Sequence, residues 1–294
     1  MEIRKAVRRK AKLRLGIVAP SGAGKTYSAL LMAFGLGGKV GLIDTEHGSG
    51  DLYAQLGDYD IIQIEAPYTI AKYRAAIAAF ERGGYSVIII DSLSHAWAGD
   101  GGLLDKQGKI ADSGKGNSYT AWRTITPEHN TLIDAMLQSP AHIIATMRAK
   151  VEYVIEKNDR GKDTPRKVGM APVQREGMDY EFTVVLDIDA QHIAHASKDR
   201  TSLFDDQYFK ISADTGGKLL AWLEAGVDPE PTPEPPAPLT EAQVADWLAA
   251  IAAASESELA DTAAGAMGAA TAAKDREAFV TFRAAMKKRS AVAT

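Results

Sequence analysis

Cysteine is absent from the 294-residue sequence. Its absence excludes disulfide bonds, thiol catalysis and thiolate metal sites, and it fits a reducing compartment. The chain also lacks any run of eighteen apolar residues, and its basic first fourteen residues lack the long apolar core of a secretory signal. We therefore expect a soluble, cytoplasmic protein that does not contact a membrane.

The overall charge is slightly negative, with a net charge of −4 and a pI of about 5.9. This balance counts against a protein coated in positive charge for indiscriminate nucleic-acid binding. The basic residues nevertheless cluster in the first fourteen positions and again between Arg148 and Lys167. The second segment holds seven basic residues (148, 150, 157, 160, 162, 166, 167) and four acidic ones (152, 156, 159, 163), a net charge of +3. Binding of DNA by these two basic clusters is therefore still compatible with the negative net charge.

Short apolar runs recur along the first half of the chain, and each ends in polar or glycine-rich sequence. They do not alternate with polar residues, which is typical of parallel strands covered on both faces. Helical stretches separate them, so the pattern predicts an α/β fold with a mostly parallel central sheet flanked by helices. The runs are Leu13–Ala19, Val40–Asp44, Ile61–Glu65, Val87–Asp91 and His142–Met147, and the predicted helices are Lys25–Leu36, Thr69–Arg82 and about Tyr119–Gln138.

After Met147 the pattern changes to one that favours antiparallel strands. Lys150–Glu156 and Arg166–Met170 can pair as a hairpin around a polar tip, and strand-like runs follow at Phe182–Asp189 and His192–Ala196. The glycine- and lysine-rich segment 99–118 is predicted to be a loop, either a first DNA-binding loop or a lid.

Proline marks the end of the core. Because proline removes N–H donors and fixes φ, the proline-rich stretch 228–238 is predicted to be an extended linker. The core then spans 1–227, with a basic N-terminal arm at 1–12, and a small helical C-terminal module spans 239–294. In the module, Thr240 with Gln243 and Ser255 with Glu258 fit capping boxes. The module either packs its own core or docks a partner protein.

The most specific motif lies between the first apolar run and the first helix, where the chain reads Ala19-Pro-Ser-Gly-Ala-Gly-Lys-Thr26. This is the Walker A pattern, with Ala19 where glycine is commoner. Its glycines let backbone N–H groups face a phosphate at a helix N-terminus, Lys25 reaches the β- and γ-phosphates, and Thr26 offers its hydroxyl to Mg²⁺. We predict ATP and Mg²⁺ as cofactors, with ATP bound by Pro20, Ser21, Gly22, Ala23, Gly24, Lys25, Thr26 and Tyr27.

A second motif supplies a metal ligand. The run from Tyr85 to Asp91 has the Walker B form, in which four apolar residues precede an acid. Asp91 is therefore predicted to hold Mg²⁺ together with Thr26.

Two further segments resemble RecA recombinases. In the first, Asp44-Thr-Glu-His is followed by Tyr-Ala and Leu-Gly at similar spacing, and the resemblance implies that Glu46 polarises the attacking water and that Tyr53 stacks on adenine. In the second, His142–Lys150 is similar to the RecA strand that senses the γ-phosphate, with Thr146 in place of glutamine as a catalytic candidate. A solvated loop acid and a core aromatic are the alternatives for Glu46 and Tyr53.

Residues 13–225 as a whole resemble the short RecA/RadA-type P-loop ATPases of bacteriophages, and most of all the single-strand-annealing Sak type. The segment from Lys167 to Phe182 and the segment Ser197-Lys-Asp-Arg-Thr201 add to this likeness. The resemblance implies a RecA-like ATPase core, ATP-dependent binding of single-stranded DNA, recombination or strand annealing, and a ring or filament of identical subunits. It also suggests that Lys198 and Arg200 reach a neighbouring subunit's ATP as a positive finger, with a solvated cluster as the alternative.

The segment Ala149–Gly177 corresponds in order to the second DNA-binding loop of RecA. Its basic side chains suit DNA phosphates, and its tyrosine suits stacking on a base. The predicted DNA-binding residues are Arg148, Lys150, Tyr153, Lys157, Arg160, Lys162, Arg166 and Lys167. For Arg148 and Lys150 the alternatives are a contact with the nucleotide phosphates or an exposed strand end that contacts neither. A solvated hairpin is the alternative, and the N-terminal arm is expected either to grip DNA or to link subunits.

Other functions share the Walker motifs. A RecA-fold helicase or translocase, a P-loop kinase of a small metabolite and an ATP-switched assembly protein are the alternatives to a recombination ATPase. For the C-terminal module, the hypothesis is that it recruits a partner such as the single-strand-binding protein.

Overall fold

The computed structural model describes residues 5–113, 118–157, 163–228, 239–255, 257–273 and 275–292. The chain divides into two compact units, Met1–Asp228 and Pro229–Thr294. The predicted linker lies outside the described residues, apart from Asp228.

The larger unit is built on a mixed, mostly parallel sheet, which confirms the predicted fold class. Its strands are β1 (Arg14–Ala19), β2 (Val40–Asp44), β3 (Asp60–Gln63), β4 (Val87–Asp91), β5 (His142–Lys157), β6 (Asp163–Pro172), β7 (Val184–Ile188) and β8 (Ala194–Asp199). Their order is β3-β2-β4-β5-β1-β7-β8, and β6 pairs with β5. Strands β1 to β5 and β7 pair in parallel, whereas β8 and β6 are antiparallel additions to β7 and β5.

Helices cover both faces of the parallel strands, which is why these strands read as continuous apolar runs. The helices are α1 (Lys25–Leu36), α2 (Ile70–Arg82), α3 (Leu93–Ala98), α4 (Leu103–Asp112), α5 (Ser118–Gln138) and α6 (Ala213–Glu224). In β4, Ile88 and Ile90 belong to the core that includes α2, α3 and α5, while Val87 and Ile89 belong to the core that includes α1 and α6.

The position of α1 is fixed by close packing against α6. A methyl group on Gly35 would lie 1.9 Å from the carbonyl oxygen of Ala213, and one on Gly216 would lie 2.3 Å from that of Met32. The two helix backbones therefore touch, and this contact fixes the helix that begins at Lys25.

Part of the basic arm packs on its own unit, an arrangement that neither predicted role for the arm anticipated. The N–H of Val227 donates to the carbonyl of Arg8 at 3.0 Å, and the N–H of Lys10 donates to the carbonyl of Val227 at 2.9 Å. The Arg8 guanidinium lies 4.3 Å from the centre of the Trp222 ring, and Lys10 pairs with Asp228 at 2.7 Å. Arg8 and Lys10 therefore contact the end of their own unit while their side chains stay exposed.

The loop predicted at 99–118 is a helix over much of its length, so that prediction was wrong. Helix α4 buries Leu103 at its start and carries an ion pair between Asp105 and Lys109 at 2.7 Å, one helical turn apart. The glycines at 99, 101 and 102 precede the helix, and because glycine disfavours helices they led to the prediction of a loop. Residues 114–117 lie outside the described part.

The smaller unit consists of α7 (Glu241–Ala253), α8 (Leu259–Ala272) and α9 (Arg276–Val292). These helices pack a core of their own, which includes Ile251, Leu259 and Phe282. Thr240 and Gln243 form the predicted capping box. Ser255 donates its hydroxyl to Glu258 at 2.5 Å, although α8 begins only after Glu258.

None of the described helices in either unit has both the length and the apolar character needed to cross a bilayer.

Candidate active site

The phosphate loop joins β1 to α1 at the carboxyl edge of the sheet. Gly22 and Gly24 have φ angles of 78° and 87°, a left-handed conformation that residues with a Cβ rarely adopt. Helix α1 has no side-chain cap and no acidic residue in its first turn. Its first N–H groups are therefore available to an anion, as the sequence pattern predicts.

Lys25 lies folded against this loop. Its Nζ donates to the carbonyl oxygens of Ala19 at 3.2 Å and Pro20 at 3.0 Å. Burial lowers the pKa of Lys25, and the carboxylates of Asp91 and Glu46 oppose that effect. A phosphate would offer this ammonium a charged acceptor, which is stronger than the two neutral carbonyls.

Asp91 joins the phosphate loop to β5. The Thr26 hydroxyl donates to Oδ2 of Asp91 and the Thr146 hydroxyl donates to Oδ1, each at 2.5 Å. Burial raises the pKa of Asp91, while the two hydroxyl bonds act in the opposite direction. Thr146, a predicted catalytic residue, therefore positions the carboxylate of Asp91.

The oxygen donors at Asp91 fit Mg²⁺. Magnesium prefers oxygen ligands, keeps several waters and takes the rest from one or two protein groups and the nucleotide phosphates. Thr26 and Asp91 supply two such groups side by side. Among the described residues, no group of three or more His, Cys, Asp or Glu forms a metal cage. This donor set therefore suits a metal that arrives with a nucleotide.

Glu46 is held by an arginine from a distant part of the sequence. Nε and Nη2 of Arg148 donate to its two carboxylate oxygens at 3.0 and 2.5 Å. Burial acts to raise the pKa of Glu46, but the bonds and charge of Arg148 outweigh it and the pKa lies below its ordinary value. The Arg148 and Glu46 side chains are 47% and 22% exposed, and so exposed a pair contributes about 0–1 kcal/mol. The pair can therefore separate at small cost.

The backbone of Glu46 is held firmly. Its N–H donates to Asp44 Oδ1 at 2.6 Å, and the N–H of Gly50 donates to Oδ2 at 3.0 Å. A 3-10 helix, Ser49–Leu56, follows and carries Tyr53. The Tyr53 ring lies edge-to-face with Tyr27 at 6.1 Å, so both predicted nucleotide-binding tyrosines are together.

One cleft of about 570 Å³ brings these groups together. It is lined by the phosphate loop, the predicted metal ligand, Glu46 and Tyr53. The lining residues are Ser21, Gly22, Gly24, Lys25, Thr26, Glu46, Ser49, Tyr53, Asp91, Arg148 and Ala149.

A protein family described as an AAA domain matches residues 11–210, which is more than half of the chain. The chain belongs to this AAA domain family. The larger unit is accordingly an AAA-like P-loop ATPase domain, a type that binds nucleotide, typically with Mg²⁺, and hydrolyses it. No curated protein sequence matches the chain.

Within the AAA domain, Arg148 lies at the nucleotide cleft, whereas the sequence left phosphate and DNA as alternative partners for it. Its Cα pairs across the sheet with that of Ala19, at the start of the phosphate loop. Its N–H donates to the Ser94 hydroxyl at 2.9 Å, and its carbonyl accepts from the N–H of Val173 at 2.7 Å. The backbone is therefore fixed while the side chain faces the cleft.

A buried hydroxyl behind Glu46 escaped the sequence interpretation. Thr45 Oγ1 accepts from the N–H of Ser92 at 2.9 Å and lies 2.7 Å from Nδ1 of His95, whose ring stacks on Tyr68 at 4.7 Å. Burial and the charge of Arg148 both lower the pKa of His95. Thr45 is part of the Asp-Thr-Glu-His motif, but nothing in the sequence signals its partner in α3.

His192 was also missed as a neighbour of the phosphate loop. It lies in the turn between β7 and β8 with a φ of 65°, and its Nδ1 is 3.1 Å from the carbonyl oxygen of Ala23. Asp189 shapes this turn by accepting the N–H groups of Gln191 and Ile193, both at 2.9 Å. The contact depends on β7 pairing with β1, which the sequence does not specify.

Lys198 and Arg200 lie away from the cleft of their own AAA domain. Because β8 runs antiparallel to β7, its end lies level with the start of β1, and the N–H of Arg200 donates to the carbonyl of Thr183 at 3.1 Å. Lys198 Nζ donates to the carbonyls of Asp179 and Tyr180 at 2.7 and 2.8 Å, and Arg200 donates to that of Tyr180 at 3.2 Å.

The predicted hairpin is confirmed and extends further, from Ala149 paired with Pro172 to Lys157 paired with Asp163. Lys150 is exposed on it. The side chains of Tyr153, Lys157, Arg166 and Lys167, and all of Arg160 and Lys162, lie outside the described residues.

We expect Asp91→Asn to raise the Tm of the protein without nucleotide. Asp91 is 1% exposed. Since folding raises its pKa, the folded protein binds this proton more tightly than the unfolded chain. At a pH above the pKa of Asp91 in the folded protein, its ionised carboxylate therefore lowers the free energy of unfolding by the full amount. At a pH below the pKa in the unfolded chain, about 3.9, the carboxyl is protonated in both states and the destabilisation disappears. The gain in Asp91→Asn should be present at neutral pH and shrink on acidification in thermal unfolding experiments.

Asp44→Asn is the matched control. Both oxygens of Asp44 accept backbone N–H groups, and asparagine offers only one acceptor oxygen. That variant should lose stability under the same conditions. A lower Tm for Asp91→Asn at neutral pH would contradict the account of the buried carboxylate.

Proposed function

We propose that this protein is an ATP-dependent single-stranded-DNA-binding protein of homologous recombination or strand annealing, which hydrolyses ATP at the interfaces between identical subunits. The ATPase part rests on the AAA domain and its cleft. The DNA part rests on one further observation, the path of β5.

Strand β5 links the cleft to the basic hairpin without a break. Thr146 bonds to Asp91, Arg148 two residues later bonds to Glu46, and the same strand continues into the hairpin. Even without Arg148, whose side chain lies at the cleft, residues 149–167 hold six basic and four acidic residues, a net charge of +2, which suits a phosphate backbone. Binding on the hairpin would therefore act on groups of the cleft through one strand.

The residues of the cleft have distinct roles in ATP hydrolysis. The loop N–H groups and Lys25 hold the phosphates, while Thr26 and Asp91 hold the metal site. Glu46 orients water for attack on the γ-phosphorus and accepts its proton as the bond to ADP breaks, giving ADP and phosphate. Mg²⁺, when bound, neutralises charge that develops on the phosphate oxygens.

The resemblance to phage RecA-type annealing ATPases supports the oligomer. Lys198 and Arg200 lie level with the start of β1, away from their own phosphate loop. As a finger they would serve the ATP of a neighbouring subunit, and a ring or filament brings such sites together.

We expect single-stranded DNA to stimulate ATP turnover in a saturable way, with an apparent affinity that falls steeply as salt rises. Steady-state turnover of wild type and Glu46→Gln, titrated with single-stranded DNA, measures this. Glu46→Gln should keep DNA binding and lose turnover. An ATP turnover rate that does not change when single-stranded DNA is added would reject the DNA part of the proposal. Directional duplex unwinding would point instead to a helicase.

We expect Arg200→Ala to abolish turnover while sparing ATP binding, because a charge at the γ-phosphate is worth about 10³–10⁵ in rate. Mixing Arg200→Ala with Glu46→Gln subunits tests its action between subunits. The Arg200→Ala subunit keeps Glu46, and the Glu46→Gln subunit keeps Arg200. Where the two meet, one interface holds both residues, so mixed oligomers should regain part of the turnover. Arg74→Ala, an exposed arginine of α2, is the control. Normal turnover by Arg200→Ala alone would remove the finger assignment.

A further inference from the structure

Arg148 is built into the nucleotide cleft by its backbone. Its pairing with Ala19 places it beside the first residue of the phosphate loop, and Ser94 and Val173 fix its N–H and carbonyl. The side chain is 47% exposed and bonds only to the carboxylate of Glu46 among the contacts described for it. A fixed backbone with a half-exposed side chain allows the guanidinium to change partner without any movement of the sheet.

The charges that line the cleft give the reason why the Arg148 guanidinium would change its partner. Two cations, Lys25 and Arg148, and two anions, Glu46 and Asp91, are among its described lining residues. While Arg148 stays with Glu46, Lys25 is the one cation left for a triphosphate among the lining residues that the structure describes. The guanidinium fork matches phosphate as well as carboxylate, and both partners accept two parallel N–H bonds.

We propose that Arg148 is a catalytic residue of the ATP site, whose guanidinium exchanges the carboxylate of Glu46 for the γ-phosphate of ATP and so releases Glu46 to orient the attacking water. This inference rests on the proposed ATP hydrolysis and needs no DNA. It gives the hydrolysing subunit a γ-phosphate-binding arginine of its own, separate from the finger contributed by a neighbour.

The pair with Arg148 engages both carboxylate oxygens of Glu46. A carboxylate whose charge is paired with a guanidinium is a weaker base for a water molecule. Because ADP lacks the phosphate that Arg148 would bind, the pair with Glu46 persists in the ADP complex. The site thereby distinguishes ATP from ADP by the position of one side chain.

The test compares nucleotide affinities of wild type, Arg148→Ala and Arg148→Lys. Fluorescent ADP and a fluorescent, non-hydrolysable ATP analogue serve as probes, both with Mg²⁺. Arg148→Ala should bind ADP within about twofold of wild type, lose on the order of tenfold in preference for the analogue, and lose about 10³-fold in turnover. Arg148→Lys keeps the charge without the fork, so both its preference and its turnover should be intermediate.

Two further variants separate this role from others. Glu46→Gln should lose turnover yet show at least the wild-type preference for the analogue, because it retains the arginine and lacks the carboxylate that competes for it. Arg74→Ala, on the exposed face of α2, should match wild type in every assay. ADP binding that survives in Arg148→Ala shows that the phosphate loop is still folded.

The inference is overturned if Arg148→Ala keeps the wild-type preference for the analogue, whatever happens to its DNA binding. A wild type that binds neither probe would instead refute the ATPase proposal itself. A wild type that hydrolyses ATP but ignores single-stranded DNA would refute only the DNA part, and the arginine exchange would stand.

Discussion

The nucleotide site depends on one buried carboxylate. Asp91 ends β4 and accepts hydroxyls from the first turn of α1 and from β5, so its two oxygens tie together three neighbouring parts of the sheet edge. This arrangement requires the parallel register in which Ile90 lies opposite Ala145 and Thr146 lies opposite Ile17. A slip of one residue in β5 would turn Thr146 to the other face and break the connection.

The two sides of the cleft differ in rigidity. On the metal side, the acid is fully buried and held by short bonds, which costs stability but fixes the ligand positions in advance. On the side that we propose for the γ-phosphate, Glu46 and Arg148 form a partly exposed pair on fixed backbones, so their side chains can rearrange at small cost. A site that must recognise ATP and then release ADP needs both properties, and the sheet edge provides each from a different strand end.

The sequence predicted those parts of the fold and site that depend on neighbours along the chain. The apolar runs predicted the parallel strands because burial on both faces leaves no polar positions, and the Walker segments predicted the phosphate loop because its geometry requires glycine. The pair of Glu46 and Arg148 was not predictable, since 102 positions separate them and no local rule specifies which strand end approaches which. The contact of His192 with Ala23 was missed for the same reason.

Where sequence reasoning failed, tertiary packing had overridden a local signal. Glycines before Leu103 indicated a loop, yet the buried leucine and a favourable ion pair make α4 a helix. The charges of Arg8 and Lys10 suggested a DNA or subunit contact, which stays a prediction; their contacts with an aromatic ring and an acid at the end of the same unit were not anticipated. Charge and composition alone do not identify the partner of a residue.

The most direct test of this account is a calorimetric titration of the wild-type protein with ATP, with Mg²⁺ present and again with the metal chelated. The cleft around Lys25, Thr26 and Asp91 predicts binding that is tight with Mg²⁺ and markedly weaker without it. Absence of any binding, or an affinity that does not depend on Mg²⁺, would contradict the assignment of Asp91 and Thr26 to a metal–nucleotide site.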